Sequence, residues 1–165
     1  MERAGGGGVT SHSSRTCNPV EGPNEGDVMT DARLIRRARF RASHHYARAD
    51  WSEEENRRVF GVQVGSHSHD WMVEVHVAGP VDEATGFVTD LGSLDASIAA
   101  VTNGWDGGDL NVLVPEVADG SMQPTTESLA RWLHRRLADT IQPPARLVEV
   151  AVFEGPDLGA RFPAR

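Results

Sequence analysis

The sequence contains no lysine: all sixteen basic residues are arginine. A lysine Schiff base is therefore excluded, and any iminium chemistry would need an amine supplied by a substrate. There is one cysteine, Cys17, so no internal disulfide can form. No apolar run approaches the roughly 20 residues that span a membrane. The N-terminal stretch MERAGGGGVTSHSSRT lacks the apolar core of a signal peptide, and a cytoplasmic location is expected. Positive charge is also scarce in the balance. The formal net charge of −8 argues against a phosphate-backbone ligand, so no nucleic-acid partner is expected.

What is present fits one globular domain behind a tail. Residues 1–31 are rich in Gly, Ser, Pro, Asn and Glu and poor in large apolar side chains, which predicts a flexible tail carrying His12 and Cys17. From Ala32 to Arg165 the patterns become regular. LIRRARFRASHHY alternates as a strand, with Phe40, Ala42 and His44 on one face and Arg37, Arg39 and Arg41 on the other. The arginines between Arg33 and Arg41 are read as a solvated strand face rather than an anion site. ARADWSEEENRRVFGVQVGS reads as a polar loop. A second strand, His67 to Ala78, places Trp71, Val73, Val75 and Val77 in phase with His67 and His69.

Two helices follow. Leu91, Leu94, Ile98 and Val101 recur at helical spacing behind Asp90 as N-cap, with Asn103-Gly104 as the stop. A second helix starting near Pro124-Thr125 carries Leu129, Trp132, Leu133, Leu137 and Ile141 on one stripe. RLVEVAVFEG is the last strand, with Val148, Val150, Val152 and Glu154 in phase. The order of elements, with no repeat, indicates an α+β fold.

His44, His67 and His69 lie on the apolar phase of their strands. Three imidazoles form a standard catalytic zinc set with one position left open, and a His-x-His pair on a strand projects from one face. The competing reading is hydrogen-bonded core histidines, and the spacing leaves both open. His45 and His76 fall on the opposite phase and are expected at the surface, as is His134 among helix arginines. Glu154 ends an apolar face, where it either surfaces or accepts N–H groups from a nitrogen heterocycle.

The motifs FRASHHY, SEEENRRVFG, HSHDWMVEVHVAGPVDEATGFVTDL, WDGGDLN, PTTESLARW and VAVFEG, in this order, resemble the 6-pyruvoyl-tetrahydropterin synthase and 6-carboxytetrahydropterin synthase family. The resemblance implies a tunnelling fold, a four-stranded antiparallel sheet with two helices on one face. It also implies a homo-oligomer, trimer or hexamer, with sites between subunits. Zn2+ would be held by His44, His67 and His69, and the substrate anchored by Glu154. Thr125 and Thr126 would help line the pterin pocket.

Two departures stand out. The family's catalytic cysteine falls on Gln63, which has no titratable proton and is left to substrate binding, and its catalytic histidine falls on Gly107. Asp106 remains, and Asp106 and Asp109 are the candidate proton carriers. A zinc-dependent enzyme with altered chemistry is the leading expectation: condensation or cyclisation of an amine with a carbonyl compound, Pictet–Spengler-like, in specialised metabolism. The alternatives are the family reaction on dihydroneopterin triphosphate and an inactive pterin-binding protein.

Overall fold

The computed structural model describes residues 31–163. The proposed tail, with His12 and Cys17, lies outside the described residues except for Asp31. That residue opens the first strand and accepts a hydrogen bond from Arg146 at 2.7 Å.

Four strands form one antiparallel sheet in the order β1-β2-β3-β4. They are β1 (Asp31–His44), β2 (His67–Pro80), β3 (Arg146–Phe153) and β4 (Gly159–Phe162). The long β1–β2 pairing sets His44 opposite His67, Ala42 opposite His69 and Phe40 opposite Trp71. Because side chains alternate across a strand, this register puts all three histidines on the face that carries the core.

Two helices cover that face, as expected. They are α2 (Leu91–Val101) and α5 (Thr126–Ala138), and between them lie the short turns α3 (Leu110–Leu113) and α4 (Pro115–Ala118). Asp90 caps α2 through the Ser93 N–H, and Thr125 caps α5 through the Ser128 N–H. Leu94, Ile98, Leu129, Leu133 and Leu137 pack on Val73, Val75, Val77, Val150 and Val152. Trp71, Trp105 and Phe40 close the end of this core beneath the histidines.

Several sequence expectations need correction. The stretch read as a polar loop contains α1 (Glu53–Phe60), capped by Ser52, followed by a single 3-10 turn over Gly61–Val64. Its mean hydropathy is low and it buries no residue, so apolar periodicity could not reveal it. In β3, Leu147 rather than Val148 faces the core, because the register shifts by one residue between His76 and Val77 of the partner strand. Ile141 follows α5 instead of lying on its stripe. The residue pattern gave three strands; the fourth came from the resemblance, since β4 has only four residues.

The largest correction concerns His76. It is 4% exposed, not a surface residue, and sits on the sheet face that no helix covers. Its Nε2 lies 3.2 Å from Glu74 and 3.8 Å from Glu149. Arg37 and Arg161 extend over these carboxylates, at 2.7 Å from Glu74 and 2.7 Å from Glu149. Their aliphatic stems shield what alternation assigns to solvent. The arginine run is exposed as expected, but three of its members are partnered: Arg37 with Glu74, Arg36 with Asp95 of α2 and Arg41 with Asp70. His45 and His134 are half-buried, the latter with its ring against Phe162.

Candidate metal and substrate site

The end of β1, the start of β2 and the segment before α5 meet at the three histidines. One nitrogen from each of His44, His67 and His69 lies within 4.8 Å of the others. His44 is fully buried and the other two are half-buried. His44 Nδ1 donates to the Pro124 carbonyl at 3.0 Å, and His67 Nδ1 donates to the Gly65 carbonyl at 2.7 Å. Each bond fixes the tautomer, leaving Nε2 as a bare lone pair, the usual outer support of a histidine ligand.

Two observations test whether a metal fits. His44 Nε2 and His69 Nε2 are buried and have no hydrogen-bond partner, which a folded core seldom tolerates. Burial, with the neighbouring histidines in the same direction, pushes the His44 pKa down to about 4. At neutral pH His44 is therefore an uncharged imidazole. Three converging imidazoles, two of them with Nε2 held as a free lone pair, suit a divalent cation such as Zn2+.

Glu154 follows β3 directly and points to the same place. Its side chain is 10% exposed, Oε2 lies 3.8 Å from His44 Nε2, and Oε2 has no hydrogen-bond partner. Glu154 therefore does not surface at the strand end. Such a carboxylate is costly unless a ligand donates to it.

Thr125 and Thr126 lie where α5 begins, next to the Pro124 carbonyl that holds His44. Thr125 Oγ1 is occupied by the helix cap, and the buried Thr126 hydroxyl donates to Glu127 at 3.2 Å. Gln63 lies in the 3-10 turn with its side chain exposed, and its carbonyl accepts the Tyr46 N–H at 2.9 Å.

Asp106 accepts the Arg41 N–H at 2.9 Å, and Asp109 caps α3 through the Asn111 N–H at 2.9 Å. These bonds lay residues 106–109 along the edge of β1, and among the described residues no hydrogen bond or ion pair joins either carboxylate to the triad. Gly107 has φ of +76°, a conformation a histidine would adopt only with strain, and nothing lies within 4 Å of where its Cβ would stand.

Tyr46 was missed from the sequence. Its ring stands edge-on to His44 at 5.1 Å and close to His67 and Phe60. Burial, reinforced by Glu154 and Glu127, pushes its pKa up to about 12. The available signal was its position two residues beyond His44, on the same strand phase.

The chain is similar to known proteins over most of its length. The family model described as 6-pyruvoyl tetrahydropterin synthase matches residues 33–164. The human 6-pyruvoyl tetrahydrobiopterin synthase is 34% identical over 132 residues, covering 78% of this chain and 89% of the human protein. The dihydroneopterin monophosphate aldolase of Pyrococcus furiosus is 27% identical over 131 residues, covering 79% of this chain and 96% of the aldolase. The solved structure of Caenorhabditis elegans 6-pyruvoyl tetrahydropterin synthase superposes with a TM-score of 0.73 at 25% identity, covering 81% of this chain and 96% of that one.

Proposed function

Because this chain belongs to the 6-pyruvoyl tetrahydropterin synthase family, we propose that it is a zinc-dependent enzyme that acts on the side chain of a dihydropterin. The observation that carries this is the set of buried atoms without a hydrogen-bond partner at one place, His44 Nε2, His69 Nε2 and Glu154 Oε2. His44, His67 and His69 would hold the metal, and Glu154 would accept N–H groups of the heterocycle. A zinc ion held there would supply Lewis acidity. The chain's own groups do the rest. Trp71, Phe40 and Trp105 exclude water beneath the triad. Tyr46 keeps its proton across the working range and so serves as a donor, not as a base.

The reaction is a lyase step on a dihydroneopterin phosphate, in line with the relatives' activities, but with a rebuilt proton relay. Gln63 offers no titratable proton and Gly107 no side chain, and Asp106 and Asp109 remain the candidate carriers. Those two replacements favour a second reading, cyclisation of an amine with a carbonyl substrate in a pocket widened at Gly107. An inactive pterin-binding protein is the third. Among the described residues β1 and β4 are the edge strands, and apart from the stretch of β1 bonded to residues 106–109 their outer edges meet no other strand, which supports assembly into a homo-oligomer. Zinc-loaded protein incubated with dihydroneopterin triphosphate and monophosphate, with products read by mass spectrometry, separates these cases. Loss of phosphate or of a side-chain aldehyde supports the first reading. Both substrates recovered unchanged refutes it.

A further inference from the structure

The anchor carboxylate has little to hold it in place. Glu154 lies one residue beyond β3, at the start of an exposed turn, Gly155-Pro156-Asp157-Leu158. One backbone bond closes the turn, from the Glu154 N–H to the Leu158 carbonyl at 3.1 Å. Its buried Oε2 gains nothing from its present surroundings in the protein alone and would be better solvated if the turn swung outward. The position of Glu154 therefore depends on what fixes β4, and β4 is an edge strand of four residues.

Beyond its backbone ladder with β3, two side-chain contacts fix it. On the helix side Phe162 packs against the core and His134. On the uncovered side Arg161 reaches back across the sheet. Its Nη1 donates to Glu149 at 2.7 Å, and its Nη2 lies 3.8 Å from Glu74. The guanidinium also sits over the Phe153 ring, 5.7 Å from the centroid. Phe153 immediately precedes Glu154 and packs so closely on Gly159 that a Cβ there would collide with its ring. The ring is thus held between Gly159 and Arg161, on β4, and its own backbone leads into Glu154.

We propose that Arg161 is a positioning residue for Glu154: by tying β4 to Glu149 and Glu74 and clamping Phe153, it holds the anchor carboxylate beside the triad from the opposite face of the sheet. A guanidinium suits this task because its planar fork can bond carboxylates while its face covers a ring. The inference rests on Glu154 being the substrate anchor.

The test uses the full-length zinc-loaded protein with Arg161→Ala, Arg161→Lys and Glu154→Gln, and neopterin as the probe. Amide hydrogen exchange, measured without ligand, reads the turn directly. Arg161→Ala is expected to raise exchange at the Glu154 amide by about tenfold or more while the Val73 and Val75 amides stay protected. It should also weaken neopterin binding about tenfold and leave zinc content unchanged. Arg161→Lys keeps the charge without the fork, and should fall between wild type and Arg161→Ala; it carries the test alone if the alanine variant does not fold.

Wild-type exchange at Glu154 in these variants overturns the proposal, as does a uniform rise that includes Val73 and Val75, which would mark a purely structural role. Neopterin binding that survives Glu154→Gln unchanged defeats the anchor reading instead, and the exchange result then decides the clamp separately.

Discussion

The two faces of the sheet both bury charged and polar groups, and they treat them differently. At the helix-covered end, His44 Nε2, His69 Nε2 and Glu154 Oε2 are buried without partners. On the uncovered face, Glu74, Glu149 and His76 are buried among Arg37 and Arg161, and only His76 Nδ1 lacks a partner. Buried polar atoms that satisfy one another stabilise and orient the sheet. Buried polar atoms left open and aimed at one point describe the shape of a missing ligand. Burial of titratable groups alone does not distinguish the two, whereas hydrogen-bond satisfaction does.

The comparison breaks most sharply at a ligand. His44→Ala, His67→Ala or His69→Ala should each lower zinc from about one per chain to a small residue, with turnover falling in parallel. Metal analysis after gel filtration checks this, and full zinc in all three variants would remove the triad. Removing zinc from the wild type with a chelator should abolish turnover and leave a folded chain, since the core beneath the triad is apolar and complete.

The opposite face should respond in the opposite way. Glu74→Ala removes the carboxylate that Arg37 bonds and leaves His76 and Arg161 with Glu149 alone, and a broken buried pair costs up to ~3–5 kcal/mol. Arg37 and Arg161 are half exposed, so solvent screens much of that, and a loss of about 2 kcal/mol in urea unfolding is expected. Zinc content should be unchanged. A variant that lost zinc without losing stability would show that the two faces do not divide the work in this way.

Acid should separate them further. Burial alone would raise the Glu74 carboxyl, but hydrogen bonds from Arg37 and His76, with the Arg37 charge, outweigh it and hold its pKa below 4.5. A depressed carboxylate contributes stability above its unfolded pKa and loses it as pH falls through the folded value. The contribution of Glu74 is therefore lost only below 4.5. His44 has a folded pKa of about 4 against 6.5, so the unfolded chain binds the proton more readily between these values. Metal-free protein should lose stability as pH falls from 6.5 towards 4, before the Glu74 contribution fades. Zinc competes with that proton, so zinc-loaded protein should resist over the same range. Unfolding midpoints across pH, with and without zinc, read both windows.

How much of this was legible depended on whether alternation carried the information. His44, His67 and His69 shared a phase with Phe40 and Trp71, so the triad and its face could be read from period-two spacing, and the order of motifs completed the sheet. The same rule misplaced His76, because the arginine stems that bury it are polar in sequence and apolar along most of their length. The bulge at Val148 shifted the phase without any glycine to announce it. The α1 helix carries a capping serine and three acidic residues in its first turn, but no buried stripe. Asp106 and Asp109 read as candidate proton carriers; the bond from the Arg41 N–H to Asp106 becomes visible only when residues 106–109 lie along β1, and Asp109 caps the short turn that follows it.

Thr125 offers the smallest and finest test of the division between satisfied and open groups. It stands on the site side of the sheet, yet its hydroxyl oxygen already accepts the Ser128 N–H as the cap of α5. Thr125→Ala should cost about 1 kcal/mol in stability through the lost cap, and Thr125→Ser, which keeps the oxygen, almost none. The loss should reach the triad only weakly, because His44 is held by the Pro124 carbonyl rather than by a side chain of α5. KM for a dihydropterin then decides what else the residue does. If the oxygen serves only the helix, KM in the serine variant and in a temperature-matched alanine variant will equal that of wild type. If it also meets substrate, KM will rise in the alanine variant while the serine variant stays normal, and Thr125 would join Glu154 as a group whose bonding capacity the fold leaves partly open.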